Sequence, residues 1–169
     1  MKDNGKTQML FLYDQTIKIW EVLCKLHSEL WEITCDEYMA LLSSEIEKIE
    51  ELVNEKKVII EEVNSLNQSR EELISEINHI LNTEHIKKAS DLIHVFKNFE
   101  DKSHQSTLQK LNLLLIEIIE KIQEQNKKNQ MFINKAIDSL EDMKLAGPTK
   151  KNFKTYNQSG KTAPVSTNR

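Results

Sequence analysis

Between Ser44 and Leu81 the chain reads SEIEKIEELVNEKKVIIEEVNSLNQSREELISEINHIL, and the spacing of its apolar residues decides the fold. Ile46, Ile49, Val53, Ile60, Val63, Ile74, Ile77 and Leu81 fall at the a and d positions of a heptad frame. Leu52, Ile59, Leu66, Leu73 and Ile80 add a further row, each seven residues after the last. Heptads sustained over this length are the mark of a coiled coil or long bundle, because a 3.5-residue period keeps one seam against a neighbouring helix. Ser44 stands three residues before Glu47, the arrangement in which side chain and backbone cap each other at a helix start. A helix is therefore predicted over about 45–81. Lys56, Asn67 and Arg70 interrupt the a/d row and are expected to set its register or end its tightly packed part.

Upstream, a helix is predicted over about 7–42. Leu10, Tyr13, Ile17, Trp20, Cys24, His27, Trp31, Tyr38 and Leu41 follow a three-four spacing, and Leu12, Ile19, Leu23, Leu26, Leu30 and Ile33 form a second row. Two apolar rows mean cover on more than one side, so this helix is expected at the centre. Downstream the pattern lapses at Asn82. A short helix is predicted over about 90–98, capped by Ser90 or Asp91, with Glu100 to Ser106 as a polar connection. The stretch from Asn82 to Ser106 is the expected hinge, ordering when a partner binds. A last long helix, about 103–145, carries Leu108, Leu111, Leu115, Ile118, Ile122, Phe132, Ala136 and Met143 in one register, with Ile119, Ile133 and Leu140 beside it.

Composition supports an all-α fold of long antiparallel helices in an elongated, coiled-coil-like bundle. Gly5, Gly147, Pro148, Gly160 and Pro164 are the only glycines and prolines, so 6–146 has neither residue that punctuates sheets and turns. Residues 1–146 form the expected helical domain, ended by Gly147-Pro148, and the basic tail 147–169 is expected to be disordered in isolation. All 27 acidic residues precede Gly147, against 18 basic ones, a net charge of −9; the tail holds five cations and no acid. An acidic body argues against nucleic acid as partner, which would require a clustered basic face. No apolar run approaches a membrane span and the N-terminus has no apolar signal core, so membrane insertion is not expected and the cytoplasm is the expected location.

Catalytic readings fail on the residues. Glu76 and His79 have the Glu-x-x-His spacing of a metal-carboxylate bundle, but lack a second such motif and fall at outward frame positions. Cys24, His27 and Cys35 share a face, yet one helix cannot wrap a tetrahedral metal across three turns. The two cysteines are too far apart along one helix for a disulfide and read as core residues. No glycine-rich phosphate loop exists. Neither metal nor other cofactor is expected, and the chain is read as a binding protein and not an enzyme.

One feature survives this elimination. Gln125, Asn126 and Asn129 interrupt the apolar stripe of the last helix between Ile122 and Phe132. The plain reading is a register-setting layer or a bundle end. The functional one is that Phe132, Ile133, Ile137 and Leu140, beyond the layer, form a separate surface for a partner helix.

Three local patterns, taken in order, resemble the FlgN family of flagellar type III export chaperones. They are LLSSEIEKIEELVNEKK ending at Glu55-Lys56-Lys57, Gln123-Glu-Gln-Asn126-Lys-Lys-Asn129 followed by Gln-Met-Phe-Ile133, and Tyr156-Asn-Gln-Ser-Gly160 after the last helix. The family often has glycine after its second asparagine, where this chain has Gln130. The resemblance implies a chaperone that holds hook-associated (hook–filament junction) flagellar proteins and delivers them to the export apparatus. It also implies that Asn126, Asn129 and the apolar residues after them meet cargo, and that Tyr156 meets the export-gate protein. A homo-dimer stays open, as does a coiled-coil scaffold or adaptor as the other class of function.

Overall fold

A computed structural model describes residues 2–97 and 107–145. Four helices form: α1 (Lys2–Ser43), α2 (Ile46–Leu81), α3 (Ala89–Phe96) and α4 (Thr107–Leu145), with no strand among the described residues. The chain divides into two compact units, Met1–Phe132 and Ile133–Arg169. The predicted tail and the polar connection 100–106 lie outside the described residues.

In the first unit α1 and α2 form an antiparallel hairpin, and α4 runs alongside α1 in the same direction. The direction follows from the bonds between them. Trp20 Nε1 donates to Asn112 Oδ1 at 3.3 Å, and further along both helices Asn129 Nδ2 donates to the Thr34 carbonyl at 3.0 Å. The main core gathers Leu12, Tyr13, Trp20 and Leu23 of α1, Leu73 and Ile77 of α2, Leu92 and Phe96 of α3, and Leu108 and Leu115 of α4. Leu30, Ile118 and Ile122 make a second, smaller cluster.

The inward row of α2 differs from the predicted a/d row. Leu52, Ile59, Leu66, Leu73 and Ile80 turn inward, joined by Lys56, Val63, Arg70 and Ile77, whereas Ile46, Val53, Ile60 and Leu81 remain exposed. Both rows are heptad-spaced and share Lys56, Val63, Arg70 and Ile77, so periodicity alone cannot say which seam the bundle closes on. The helix buries its leucine-rich side. Arg70 remains in the seam by laying its guanidinium over the Trp20 ring, 5.9 Å from the centroid, where the π-face receives the cation.

The connections also depart from the predicted capping. Ser44 does not cap α2; it ends α1 with φ 57°, while Glu45 N–H bonds to the Ala40 carbonyl and Ser44 N–H to the Leu41 carbonyl. Asn82 ends α2 in the same way at φ 50°, with Thr83 N–H on the Asn78 carbonyl and Asn82 N–H on the His79 carbonyl. This left-handed closure satisfies the last carbonyls of a helix and is usually made by glycine. Here serine and asparagine make it, both within the glycine-free stretch 6–146.

The described part of the expected hinge is core. Ile86, Leu92 and Phe96 are buried, and the Phe96 ring meets Tyr13 edge-on at 5.3 Å between centroids. The Asn78 amide clamps the backbone of Ile86, donating to its carbonyl at 2.9 Å and accepting from its N–H at 3.3 Å. Asp91 does not precede α3 as a cap. It sits in the first turn and its carboxylate accepts from the N–H groups of Lys87 and Lys88. Those backbone bonds hold the Asp91 carboxyl below its ordinary pKa.

Candidate functional site

The asparagine layer predicted in the last helix is the centre of a polar tie across three helices. On α1, Leu30, Thr34, Glu37 and Leu41 follow the inward three-four spacing, which brings a carboxylate into the bundle. On α2, Lys56 occupies the same inward row as Leu52 and Ile59. Its Nζ donates to Glu37 Oε2 at 2.8 Å and to Asn126 Oδ1 at 2.9 Å. On α4, the buried Asn129 donates through Nδ2 both to the Thr34 carbonyl and to Glu37 Oε2, the latter at 2.9 Å. Gln125 Nε2 donates to Asn129 Oδ1 at 3.0 Å and closes the group.

Every member is hydrogen-bonded, and no buried side-chain nitrogen or oxygen among the described residues lacks a partner. That completeness matters. A satisfied polar layer specifies one arrangement, whereas a half-satisfied one costs more than an apolar core. The Lys56–Glu37 pair keeps about 15 % of each side chain exposed, so its charges are largely but not wholly removed from water. Chemically the layer offers charge and amide groups already committed to one another, and its physical effect is to set the height of α4 against the α1/α2 hairpin.

Sequence reasoning found Lys56, Gln125, Asn126 and Asn129 but missed Glu37 and Thr34. The available signal was a charge at inward spacing four residues before Leu41. Thr34 is fully buried because its hydroxyl bonds back to the Leu30 carbonyl at 2.6 Å.

The predicted partner residues separate in the structure. Phe132 belongs to the first unit, half-buried, with its ring edge-on to Tyr38 at 6.3 Å between centroids. Ile133 opens the second unit and is half-buried. Ile137, Leu140 and Met143 are 48 %, 57 % and 70 % exposed, an apolar row at helical spacing along the end of α4. Asp138, Glu141 and Asp142 accompany that row on the same turns. Tyr156 lies outside the described residues.

The model of the FlgN protein family matches residues 9–164, nearly the whole chain. The chain belongs to the FlgN family. No curated protein and no solved structure matches it. The family is associated with flagellar export chaperone function, and membership implies binding of flagellar proteins. In this FlgN-family chain the Glu55-Lys56 block and the paired asparagines, apart by 70 residues in sequence, meet through the 2.9 Å bond from Lys56 to Asn126. Other chemistry is sparse. Among the described residues no three His, Cys, Asp or Glu side chains gather to hold a metal ion, and Glu76 and His79 are both exposed. Burial pushes both thiols up, helped by Glu21 at Cys24 and by Asp36 at Cys35, which opposes thiolate formation. No described helix is long and apolar enough to cross a membrane.

Proposed function

We propose that this chain is a cytoplasmic export chaperone that holds a hook-associated subunit through the exposed row at the end of α4 and delivers it to the export-gate protein. The observation that carries the reading is that row: Ile137 and Leu140, with Met143, stand in water at three-residue spacing. Large apolar anchors at helical spacing are what helix-in-groove recognition uses, and a few such anchors dominate an interface. Phe132 and Asn129 contribute differently, Phe132 through its packing on Tyr38 and Asn129 through the polar tie. Delivery is assigned to the tail, where Tyr156 is the docking residue for the gate and the five tail cations speed its encounter with an acidic surface.

Titration of each hook-associated subunit against the parent chain and an Ile137→Asp, Leu140→Asp variant tests the reading. The variant is expected to lose at least about tenfold in affinity for one subunit, about 1.4 kcal/mol, with helicity and melting temperature unchanged. Parental affinity in the variant would remove the row from the cargo site. Tyr156→Ala is expected to spare cargo affinity and weaken gate binding, a separation that a single shared surface would not produce.

A further inference from the structure

The exposed apolar row at the end of α4 has an uneven border. Within 133–145 the charged residues are Lys135, Asp138, Glu141, Asp142 and Lys144. At 3.6 residues per turn, Glu141, Asp138 and Asp142 lie about 40°, 100° and 140° round the helix from Ile137, on the side away from Leu140 and Met143. Lys135 lies beyond them at about 160°, and Lys144 enters the apolar arc only in the last turn. Ser139 borders the other side. The row therefore has carboxylates along one edge only.

Those carboxylates stand where a helix least favours them. Earlier in α4, Glu117 and Glu124 each have a lysine four residues on, at 2.7 Å and 2.9 Å. Asp138 instead has Glu141 and Asp142 at three and four residues, and like charges at that spacing repel. Glu141 and Asp142 also stand at the C-terminal end of the helix, where the macrodipole is negative and cations are preferred. No described residue forms an ion pair with any of the three. Cations laid along this edge relieve both penalties.

The chain supplies such cations next in sequence. Residues 147–169 hold five and no acid, with Lys150, Lys151 and Lys154 among the first eight and Phe153 between them. Gly147 and Pro148 stop a helix and allow the chain to turn. The lengths then match. Glu141, Asp138 and Ile137 lie about 6, 10 and 12 Å back from Leu145 along the helix. A strand returning from Pro148 at about 3.3 Å per residue brings Lys150, Lys151 and Phe153 back by about 7, 10 and 17 Å. Two lysines come level with the carboxylates, and the ring with Ile137 and the turn before it. So short a tether also gives the segment an effective concentration on the order of mM at the row, which a second copy would need in free solution.

We infer that residues 149–154 dock back on the row at the end of α4, with Phe153 on its apolar side chains and Lys150 and Lys151 along Glu141 and Asp138. The occupant of the row in the free chain is the chain's own tail. Where the row also holds cargo, tail and cargo exclude each other; that consequence rests on the function proposed above, whereas the docking does not.

The full chain with p-benzoylphenylalanine in place of Phe153 tests this in the absence of any other protein, with photo-crosslinked peptides mapped by mass spectrometry. Irradiation is expected to link position 153 to 133–145 within one chain, at a yield independent of protein concentration. Lys150→Glu with Lys151→Glu, and separately Ile137→Asp with Leu140→Asp, are each expected to lower that yield at least about fivefold. Adding Asp138→Lys and Glu141→Lys to the tail variant is expected to restore it, which damage to the helix would not do. Links to 1–132, an unchanged yield in the charge-reversed tail, or no recovery on the swap overturns the proposal. Links between chains that rise with concentration overturn it too and assign the row to a second copy. Cargo is absent throughout, so failure here leaves the cargo reading standing, and failure of the cargo reading leaves this docking standing.

Discussion

Around Leu12 and Ile77 the three long helices meet mainly through carbon, with α3 closing over them and Trp20 adding one bond to Asn112 at the edge. Around Glu37, further along the same bundle, they meet through nitrogen and oxygen. In the first region Leu12, Ile77, Leu92 and Phe96 are fully enclosed, and such a core stabilises without insisting on one register, since apolar residues of similar size exchange readily. In the second, Lys56 reaches Glu37 and Asn126 while Asn129 reaches Thr34 and Glu37, and a shift of one turn would break every bond at once. Stability and specificity are thus held in different places.

The contrast breaks if the enclosed region is not the main source of stability. Phe96→Ala is expected to cost about 3–5 kcal/mol in urea denaturation, because it empties a filled site beside Tyr13. A loss below about 1 kcal/mol would mean that α3 is a loose cover, as a hinge requires. The polar tie is sharpened by a cycle. Lys56→Met or Glu37→Met alone is expected to cost about 2 kcal/mol, the range for a hydrogen bond to a charged group whose partner is left behind. The double variant is expected to recover most of that loss, since replacing both partners with apolar side chains removes the unpaired charge. Additive losses would show that the pair contributes nothing as a pair.

A smaller effect separates the helix ends from both regions. Ser44→Gly is expected to gain about 0.5–1 kcal/mol, read as a rise in urea midpoint, by relieving a left-handed backbone that disfavours a side chain. The smallest effect is at Asp91. Its carboxyl is held below the ordinary value, so its contribution is present above the unfolded-state pKa and is lost as pH falls through the folded one. Asp91→Ala is expected to lower the melting temperature at neutral pH by a degree or so, with the difference closing at pH values below the carboxylate range. A difference independent of pH would assign the residue's effect to helix propensity.

Much of this architecture was legible in the spacing of apolar residues. Four helices, their approximate bounds and the asparagine layer follow from periodicity, and so does the apolar row ending at Leu140. What spacing could not say was which of two equally periodic rows on α2 faces inward, because Lys56, Val63, Arg70 and Ile77 belong to both. Nor could it show that Ser44 closes a helix instead of opening one, since a left-handed serine has no local signature. Ile86 through Phe96 looked sparse because three buried residues in a short stretch make no period. Glu37 is not distinguishable by spacing, because a lone carboxylate between apolar neighbours is ordinarily a solvated one.

The side-by-side placement of α1 and α4 has a consequence for how the chain acquires its shape. The bonds between these helices join residues 87 to 95 apart in sequence, whereas the Lys56–Glu37 bond of the hairpin spans 19. Long closures are slower than short ones, and α4 leaves the ribosome last. At typical elongation rates, the stretch from Leu81 to Leu145 takes roughly 3–13 s to synthesise. For those seconds the α1/α2 hairpin can form, but Leu23, Leu30 and the Trp20 indole face the cell without their third helix. The nascent chain therefore passes through an interval of exposed apolar surface before its own third helix arrives to cover it.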